Sequence, residues 1–149
     1  MISPTPSFTT EYLTRYAARL FARALDRRFA DGASSGPLPI LLALANGKAL
    51  PQKQLAQLAA VEQSTMARPP GRMQRDELLT HKQDPTDGRS SLAYLTPQGL
   101  ARAALACEVS QEVDAMSLTS LSAAEQALFK TLLQRVIVNL ERDQSLTSP

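Results

Sequence analysis

The sequence is poor in the residues that small proteins use for cross-links and bound cofactors. It has one cysteine, one histidine and no tryptophan among 149 residues. A single cysteine excludes an intramolecular disulfide framework, and one histidine without clustered cysteines does not supply the ligands of a typical zinc site. Glycine-rich phosphate loops and nucleophile elbows are also missing, so the sequence predicts no enzyme, no catalytic residue, no metal and no cofactor.

Long apolar runs are absent as well. No stretch approaches the roughly 20 apolar residues that a membrane span requires, and residues 1–7 lack the basic and apolar regions of a signal peptide. We therefore expect a cytoplasmic protein without a membrane partner. Because aromatic residues make up only 5% of the chain, the core must consist mainly of Leu and Ala, a composition that favours helices.

The net charge gives little general attraction for nucleic acid. It is only +2, although the isoelectric point is near 8.9, so any DNA affinity must come from local clustering. Basic residues do cluster between 68 and 89, and acidic residues interrupt them. The basic members are Arg68, Arg72, Arg75, Lys82 and Arg89, and the acidic ones are Asp76, Glu77, Asp84 and Asp87.

Long helices are predicted at both ends of the chain. From Phe8 to Phe29, apolar residues recur at spacings of three and four. Thr96-Pro97 and Ser122-Ala123-Ala124-Glu125 are typical helix starts, since each provides an N-cap hydroxyl. The last helix has a wider apolar face than a small domain covers, so we expect it to contact a second subunit. These patterns predict one domain over 1–149, with dimerisation helices at 8–30 and 97–143 and a frayed tail at 144–149.

Between these helices, residues 37–96 have the order of a winged helix-turn-helix. A helix over Pro51 to Ala60, with the proline in its first turn, is followed by a turn at Val61 and a second helix. Strand-like runs at 78–82 and 91–95 flank the turn-forming octet Asp84-Pro85-Thr86-Asp87-Gly88-Arg89-Ser90-Ser91. The predicted fold class is therefore mainly α, with a small β-hairpin wing.

The second helix of such a pair reads the major groove with its N-terminal side chains. Glutamine bonds adenine, arginine bonds guanine, and serine or threonine bonds a base or a phosphate. The matching residues are Gln63, Ser64, Thr65, Ala67 and Arg68, with Arg72 and Arg75 further along. The alternative interpretation is a polar helix face in an ordinary bundle. In the hairpin, Gly88 gives turn flexibility and Arg89 can reach a minor groove or a phosphate.

The octet, together with Leu95-Thr96-Pro97-Gln98-Gly99, resembles the MarR family of bacterial transcriptional regulators. The resemblance implies recognition contacts from Gln63 to Arg72 and wing contacts from Asp87 and Arg89, with Asp87 holding Arg89 in place. It also implies a homodimer, a pseudo-palindromic operator and repression that ends when a small aromatic or carboxylate ligand binds.

Two features depart from that family pattern. Pro69-Pro70-Gly71 falls inside the predicted recognition helix, where each proline costs about 3 kcal/mol and the glycine about 1 kcal/mol. Glu77 stands where the family usually has a helix-ending glycine. The alternative function is therefore a ligand-binding or protein-interaction module whose DNA binding is weakened by a kink near Arg68.

Four residues are candidates for sensing a ligand. Tyr12, Arg15 and Tyr16 combine rings, hydroxyls and a guanidinium fork that suit an anionic aromatic molecule. The alternative interpretation is dimer-interface packing, with Arg15 in a surface ion pair. His81 is either a ligand contact or proton-sensitive switch, or a half-exposed strand side chain. Cys107 is interpreted as a buried small apolar residue rather than a redox sensor.

Overall fold

A computed structural model describes residues 7–29, 38–62 and 77–147. The described chain is mainly helical, as predicted, and it has one three-stranded antiparallel sheet that includes the predicted hairpin. It forms two compact units, residues 1–113 and 114–149. The elements are α1 (Thr10–Arg28), α2 (Leu38–Leu44), a 3₁₀ turn (Ala45–Gly47), β1 (Ala49–Pro51), α3 (Gln52–Glu62), β2 (Leu79–Gln83), β3 (Ser91–Leu95), α4 (Pro97–Ser117) and α5 (Ala123–Thr147).

Helix α1 begins where a threonine caps it. The Thr9 hydroxyl accepts a hydrogen bond from the backbone N–H of Tyr12 at 3.2 Å, which satisfies a donor that the first turn leaves free. At its other end, Arg28 forms an ion pair with Glu112 of α4 at 3.0 Å. The helix predicted over 8–29 is confirmed to within two residues at its start and one at its end.

The core of the first unit is built from aliphatic side chains. Leu44, Leu55, Ala93 and Ala106 are completely buried, and each buried leucine contributes roughly 1.5–3 kcal/mol relative to an exposed one. The other members of the cluster are Phe29, Ile40, Leu41, Ala45, Leu79, Leu95, Ala103 and Val109. The core therefore has the Leu- and Ala-rich character that the shortage of aromatic residues predicts.

The sheet contains a strand that the sequence pattern did not predict. Strand β1 pairs with β3, which also pairs with β2, so β3 is central. Pro51 ends β1 opposite Leu92, and α3 begins at Gln52. The helix start predicted at Pro51 is therefore one residue early, and the proline lies directly beside the first turn. An edge strand tolerates proline, which cannot donate to the ladder. Asn46 and Gly47, with φ of 63° and 76°, end the segment that follows α2.

In the second unit, α5 opens with the predicted capping box. The Ser122 hydroxyl accepts from the Glu125 N–H at 3.2 Å, and the Glu125 carboxylate accepts from the Ser122 N–H at 2.8 Å. The side chain of Gln126 donates to the carbonyls of Leu118 and Leu121. These contacts fix the corner that leads into α5.

Helix α5 is longer than the sequence analysis predicted. It continues to Thr147, so residues 144–147 of the expected tail are helical. The reason is local, because neither proline nor glycine interrupts the chain between Ser122 and Thr147. Within the described ranges, no helix has the length and apolar character needed to cross a membrane.

Candidate nucleic-acid interface

The wing is a hairpin whose turn is organised by Asp84. Strands β2 and β3 pair from Leu79 opposite Leu95 to Gln83 opposite Ser91. One Asp84 carboxylate oxygen accepts from the Thr86 hydroxyl at 2.7 Å and from the Thr86 N–H at 2.9 Å. These two bonds, the hydroxyl first, lower the pKa of Asp84 below its ordinary value of 3.8. The carboxylate is therefore charged at neutral pH, in the form that holds the turn.

The tip of the wing presents Arg89 to solvent on a fixed backbone. The Asp87 carboxylate accepts from the Arg89 backbone N–H at 3.1 Å, and the Asp87 carbonyl accepts from the Ser90 N–H at 3.0 Å. The Arg89 side chain is exposed. Asp87 thus fixes the main chain of Arg89 and leaves its guanidinium available for a phosphate or a groove.

Gly88 has an ordinary backbone angle and lies close to the side chain of Gln83. Its φ lies outside the left-handed region, in contrast to Gly47. The side-chain amide of Gln83 donates to the Gly88 carbonyl at 2.8 Å, and a Cβ at position 88 would lie 3.3 Å from that amide nitrogen. Gly88 was expected to give the turn flexibility. In the structure, it is in close contact with the side chain of Gln83.

The base of the hairpin joins α4 through Thr96. The Thr96 hydroxyl donates to the carbonyl of Glu77 at 2.6 Å and accepts from the N–H of Gly99 at 3.0 Å. Its backbone N–H donates to the Leu78 carbonyl at 3.1 Å. Thr96 is consequently both the N-cap of α4, as predicted, and the closing contact of the hairpin.

Two further contacts hold the wing strands from either side. The ring nitrogen Nε2 of His81 lies 2.7 Å from the side-chain oxygen of Gln52, at the start of α3. The ammonium group of Lys82 lies 5.0 Å from the centre of the Tyr94 ring, a cation–π contact. His81 is half-buried, which fits the interpretation as a partly exposed strand side chain that ties β2 to α3.

The residues predicted to read bases fall outside the described ranges. They are Gln63, Ser64, Thr65, Ala67, Arg68, Arg72 and Arg75, and the Pro69-Pro70-Gly71 triplet lies among them. Of the predicted DNA contacts, the structure therefore describes Asp87 and Arg89. It brings these two together at one turn, 3.1 Å apart between the carboxylate and the backbone nitrogen.

Comparison with known proteins identifies the family. A model described as "MarR family" matches residues 36–90. The transcriptional regulator HosA of Escherichia coli O111:H- is 30% identical over 98 residues, which cover 66% of this chain and 73% of HosA. This chain belongs to the MarR family. It is a transcriptional regulator and not an enzyme.

Solved structures of MarR-type regulators share the fold along most of the chain. The PcaV transcriptional regulator from Streptomyces coelicolor, in complex with its natural ligand, has a TM-score of 0.73 at 27% identity, covering 92% of this chain and 97% of PcaV. A probable transcriptional regulator from Pseudomonas aeruginosa has a TM-score of 0.69 at 26% identity, covering 86% and 96%. The winged helix-turn-helix assignment rests on these likenesses.

Two of the candidate ligand-sensing residues, Tyr12 and Tyr16, lie on α1 in a row of aromatic rings that begins at Phe8. The ring centres of Phe8 and Tyr12 are 4.7 Å apart, and those of Tyr12 and Tyr16 are 6.2 Å apart. Arg15 forms an ion pair with Glu11 at 3.0 Å, and both side chains are largely exposed. Among the contacts of the described residues, none joins His81 to Tyr12, Arg15 or Tyr16.

Two apolar features remain on the helices of this MarR-family chain. Cys107 is partly buried against the core of the first unit, which agrees with a packing role although its burial is incomplete. On α5, one face is largely exposed in the single chain. Its members are Leu128, Phe129, Leu132, Val136, Ile137 and Leu140, with exposed fractions between 37% and 60%.

Residue-by-residue reasoning missed the supporting contacts of the wing. Gln83, Thr86 and Gln52 each position a predicted element without belonging to a recognised motif. A local signal existed for Thr86, because a hydroxyl two residues after an aspartate is typical of an Asx turn. No such signal pointed to Gln52, which is 29 residues from its partner His81.

Proposed function

We propose that the protein is a homodimeric repressor that binds a pseudo-palindromic operator and is released by a small aromatic or carboxylate ligand. The observation that carries the DNA-binding part is the wing tip, where Asp87 fixes the backbone of Arg89 and the guanidinium stays exposed. A pre-ordered arginine loses less conformational freedom on binding than one in an unordered loop. We also propose that it acts in the cytoplasm, where operator DNA is accessible.

The charge distribution supports contacts at the wing. A net charge of +2 gives weak steering toward DNA, so affinity depends on individual phosphate contacts. Arg89 lies at the exposed tip, while the Lys82 ammonium stacks on Tyr94 at the strand surface. Both cations are therefore carried by the same hairpin.

The exposed face of α5 supports the homodimer. Leu128 and Leu140 are 57% and 60% exposed, and Phe129 is 47% exposed between them. Contiguous apolar surface of this kind is typical of an interface, since monomers seldom leave it in water. A two-fold dimer would use the same face on both copies and would present two wings to two operator half-sites.

The effector proposal rests on α1 and on a relative. PcaV was solved in complex with its natural ligand, and the α1 row of Tyr12 and Tyr16 offers rings and hydroxyls beside Arg15. Arg15 bonds Glu11 through Nε at 3.0 Å, and the guanidinium has further N–H donors for a carboxylate. We expect benzoate to raise the melting temperature and benzamide, which lacks the charge, to have a smaller effect. Equal shifts with both compounds, or in Arg15→Gln, would remove Arg15 from the site.

The DNA-binding proposal is tested on the promoter region nearest the protein's own gene. The duplex is titrated with protein at several salt concentrations, and an unrelated duplex of equal length is the control. We expect specific binding whose affinity falls steeply as salt rises, because bound phosphates release counterions. Absence of binding at low salt would overturn the proposal.

The alternative function keeps the fold but weakens DNA binding through Pro69-Pro70-Gly71. It is supported by the sequence, because two consecutive prolines remove two helix hydrogen bonds. Replacing the three residues with alanine separates the two functions. A large gain in operator affinity favours the weakened module, whereas unchanged affinity favours a working repressor.

A further inference from the structure

Glu77, two residues before strand β2 of the wing, has a strained backbone conformation. Glu77 has a φ of 61°, a left-handed conformation that costs a residue with a side chain roughly 1–2 kcal/mol. Glycine would adopt it freely because it has no Cβ. The conformation of Glu77 must therefore be maintained by contacts from its surroundings.

Among the described residues, Thr96 contacts Glu77 through a hydrogen bond. The Thr96 hydroxyl donates to the Glu77 carbonyl at 2.6 Å, and the next carbonyl, of Leu78, accepts from the Thr96 backbone N–H at 3.1 Å. The carbonyls of the two residues just before β2 therefore both accept hydrogen bonds from Thr96. We call Glu77, Leu78, Thr96 and Gly99 the hairpin clamp.

Gly99, in the first turn of α4, lies in close backbone contact with Leu78 of the clamp. A Cβ at this position would overlap the carbonyl oxygen of Leu78 and would lie 3.1 Å from the Cβ of Leu95. The backbone of α4 therefore touches the backbone of the hairpin base directly. Because Gly99 also donates to the Thr96 hydroxyl at 3.0 Å, that hydroxyl is held in one orientation, with its proton directed to Glu77.

We propose that Thr96 is a positioning residue for DNA binding, because its hydroxyl keeps Glu77 in the left-handed conformation that sets how the chain enters the wing. The inference rests on the proposed function: residues expected to read bases precede Glu77 in sequence, and Arg89 follows it. A return of Glu77 to an ordinary negative φ is a rotation of roughly 120° about one backbone bond. Such a rotation would change the direction in which the chain enters the hairpin that carries Arg89.

A double-mutant cycle on the full-length chain tests the proposal, with the promoter duplex nearest the protein's own gene as probe. We expect Thr96→Val to weaken binding about tenfold, and Thr96→Ser, which retains the hydroxyl, to stay within about twofold. In the Glu77→Gly background the same Thr96→Val change should cost about threefold or less, since glycine needs no help to adopt positive φ.

Glu77→Ala is the matched control, because it removes the same carboxylate but keeps the Cβ. In that background Thr96→Val should again cost about tenfold. Thr96→Val also removes the N-cap of α4. This loss is the same in the unsubstituted, Glu77→Gly and Glu77→Ala backgrounds, so it cancels when the three costs are compared. Affinities are corrected for the folded fraction, measured by circular dichroism. Should Thr96→Val not fold, Thr96→Asp replaces it, because aspartate caps the helix but has no proton to donate.

The outcomes separate this inference from the proposed function. No binding by the unsubstituted chain at low salt overturns both. Binding by the unsubstituted chain, with the same cost of Thr96→Val in all three backgrounds, overturns the positioning role alone. A smaller cost confined to the Glu77→Gly background supports it, because a general loss of packing would affect the alanine and glycine backgrounds equally.

Discussion

The carboxylate of Asp87 accepts a hydrogen bond from the backbone N–H of Arg89 at 3.1 Å. This contact links the two residues of the wing through the main chain, so that the Arg89 side chain remains exposed. An aspartate that bonds its own chain two residues on is a common way to order a turn. The wing is therefore ordered before any DNA is bound.

Asp87→Ala should weaken operator binding about fivefold, because the loss of one turn-ordering hydrogen bond costs about 1 kcal/mol. Weaker binding would point to the lost hydrogen bond and not to the lost charge, because removal of a negative charge alone would strengthen binding to DNA. Asp87→Asn keeps an acceptor and is the control; it should bind at least as tightly as the unsubstituted chain. Fluorescence anisotropy on a labelled promoter duplex measures both, and an Asp87→Ala affinity equal to that of Asp87→Asn would contradict the account.

Glu77→Gly should stabilise the protein. Relief of the positive φ outweighs the greater freedom that glycine gives the unfolded chain, leaving a net gain of about 1 kcal/mol. For a chain of this size that gain raises Tm by about 2–4 °C. Glu77→Ala keeps the strain and should show no such gain. Denaturant unfolding of the two variants measures the difference, and equal stabilities would argue against strain at Glu77.

The wing turn should loosen in acid through Asp84. Its pKa is lowered by the Thr86 hydroxyl and N–H, so the contribution to stability is present above the unfolded-state pKa and is lost as pH falls through the lower folded-state value. Near neutral pH we expect no change. Nuclear magnetic resonance should find the Asp84 pKa below 3.8, and Thr86→Ala should raise it while Thr86→Ser should not. An unchanged pKa in Thr86→Ala would show that the hydroxyl bond is not its main cause.

Leu132→Glu should convert the proposed dimer into a monomer. Leu132 is 45% exposed on the apolar face of α5, and a buried carboxylate without a partner strongly opposes association. Gln134→Glu adds the same charge at another exposed position of that helix and should leave the dimer intact. Size-exclusion chromatography with light scattering distinguishes the two. A dimeric Leu132→Glu variant would mean that this part of α5 is not in the interface.

Local chemistry made several parts of the fold predictable from sequence. Thr96 and Ser122 were identified as helix caps because the donor and acceptor lie within three residues of each other. The hairpin was predicted from two strand-like runs that flank a turn-forming octet, and β2 and β3 are confirmed almost to the residue. Glu77 stands where the family usually has a glycine, and its φ of 61° explains why glycine is preferred at this position.

Other features depend on contacts between distant residues. The bond between His81 and Gln52 spans 29 positions, and no local pattern links the two. Strand β1 has only three residues, too few to show an alternation. Gly88 was interpreted through its flexibility, and its hydrogen bond to the Gln83 side chain was not predicted. Such requirements become visible only once the strands are paired.

The most direct test of the central claim is the salt dependence of operator binding by the unsubstituted protein and by Arg89→Ala, with Arg89→Lys as the charge-preserving control. The account predicts specific binding to the promoter duplex, and a slope of log affinity against log salt that is smaller by about 0.9 in Arg89→Ala. Arg89→Lys should retain the slope. An identical slope for Arg89→Ala, or no specific binding by the unsubstituted protein at low salt, would contradict the account.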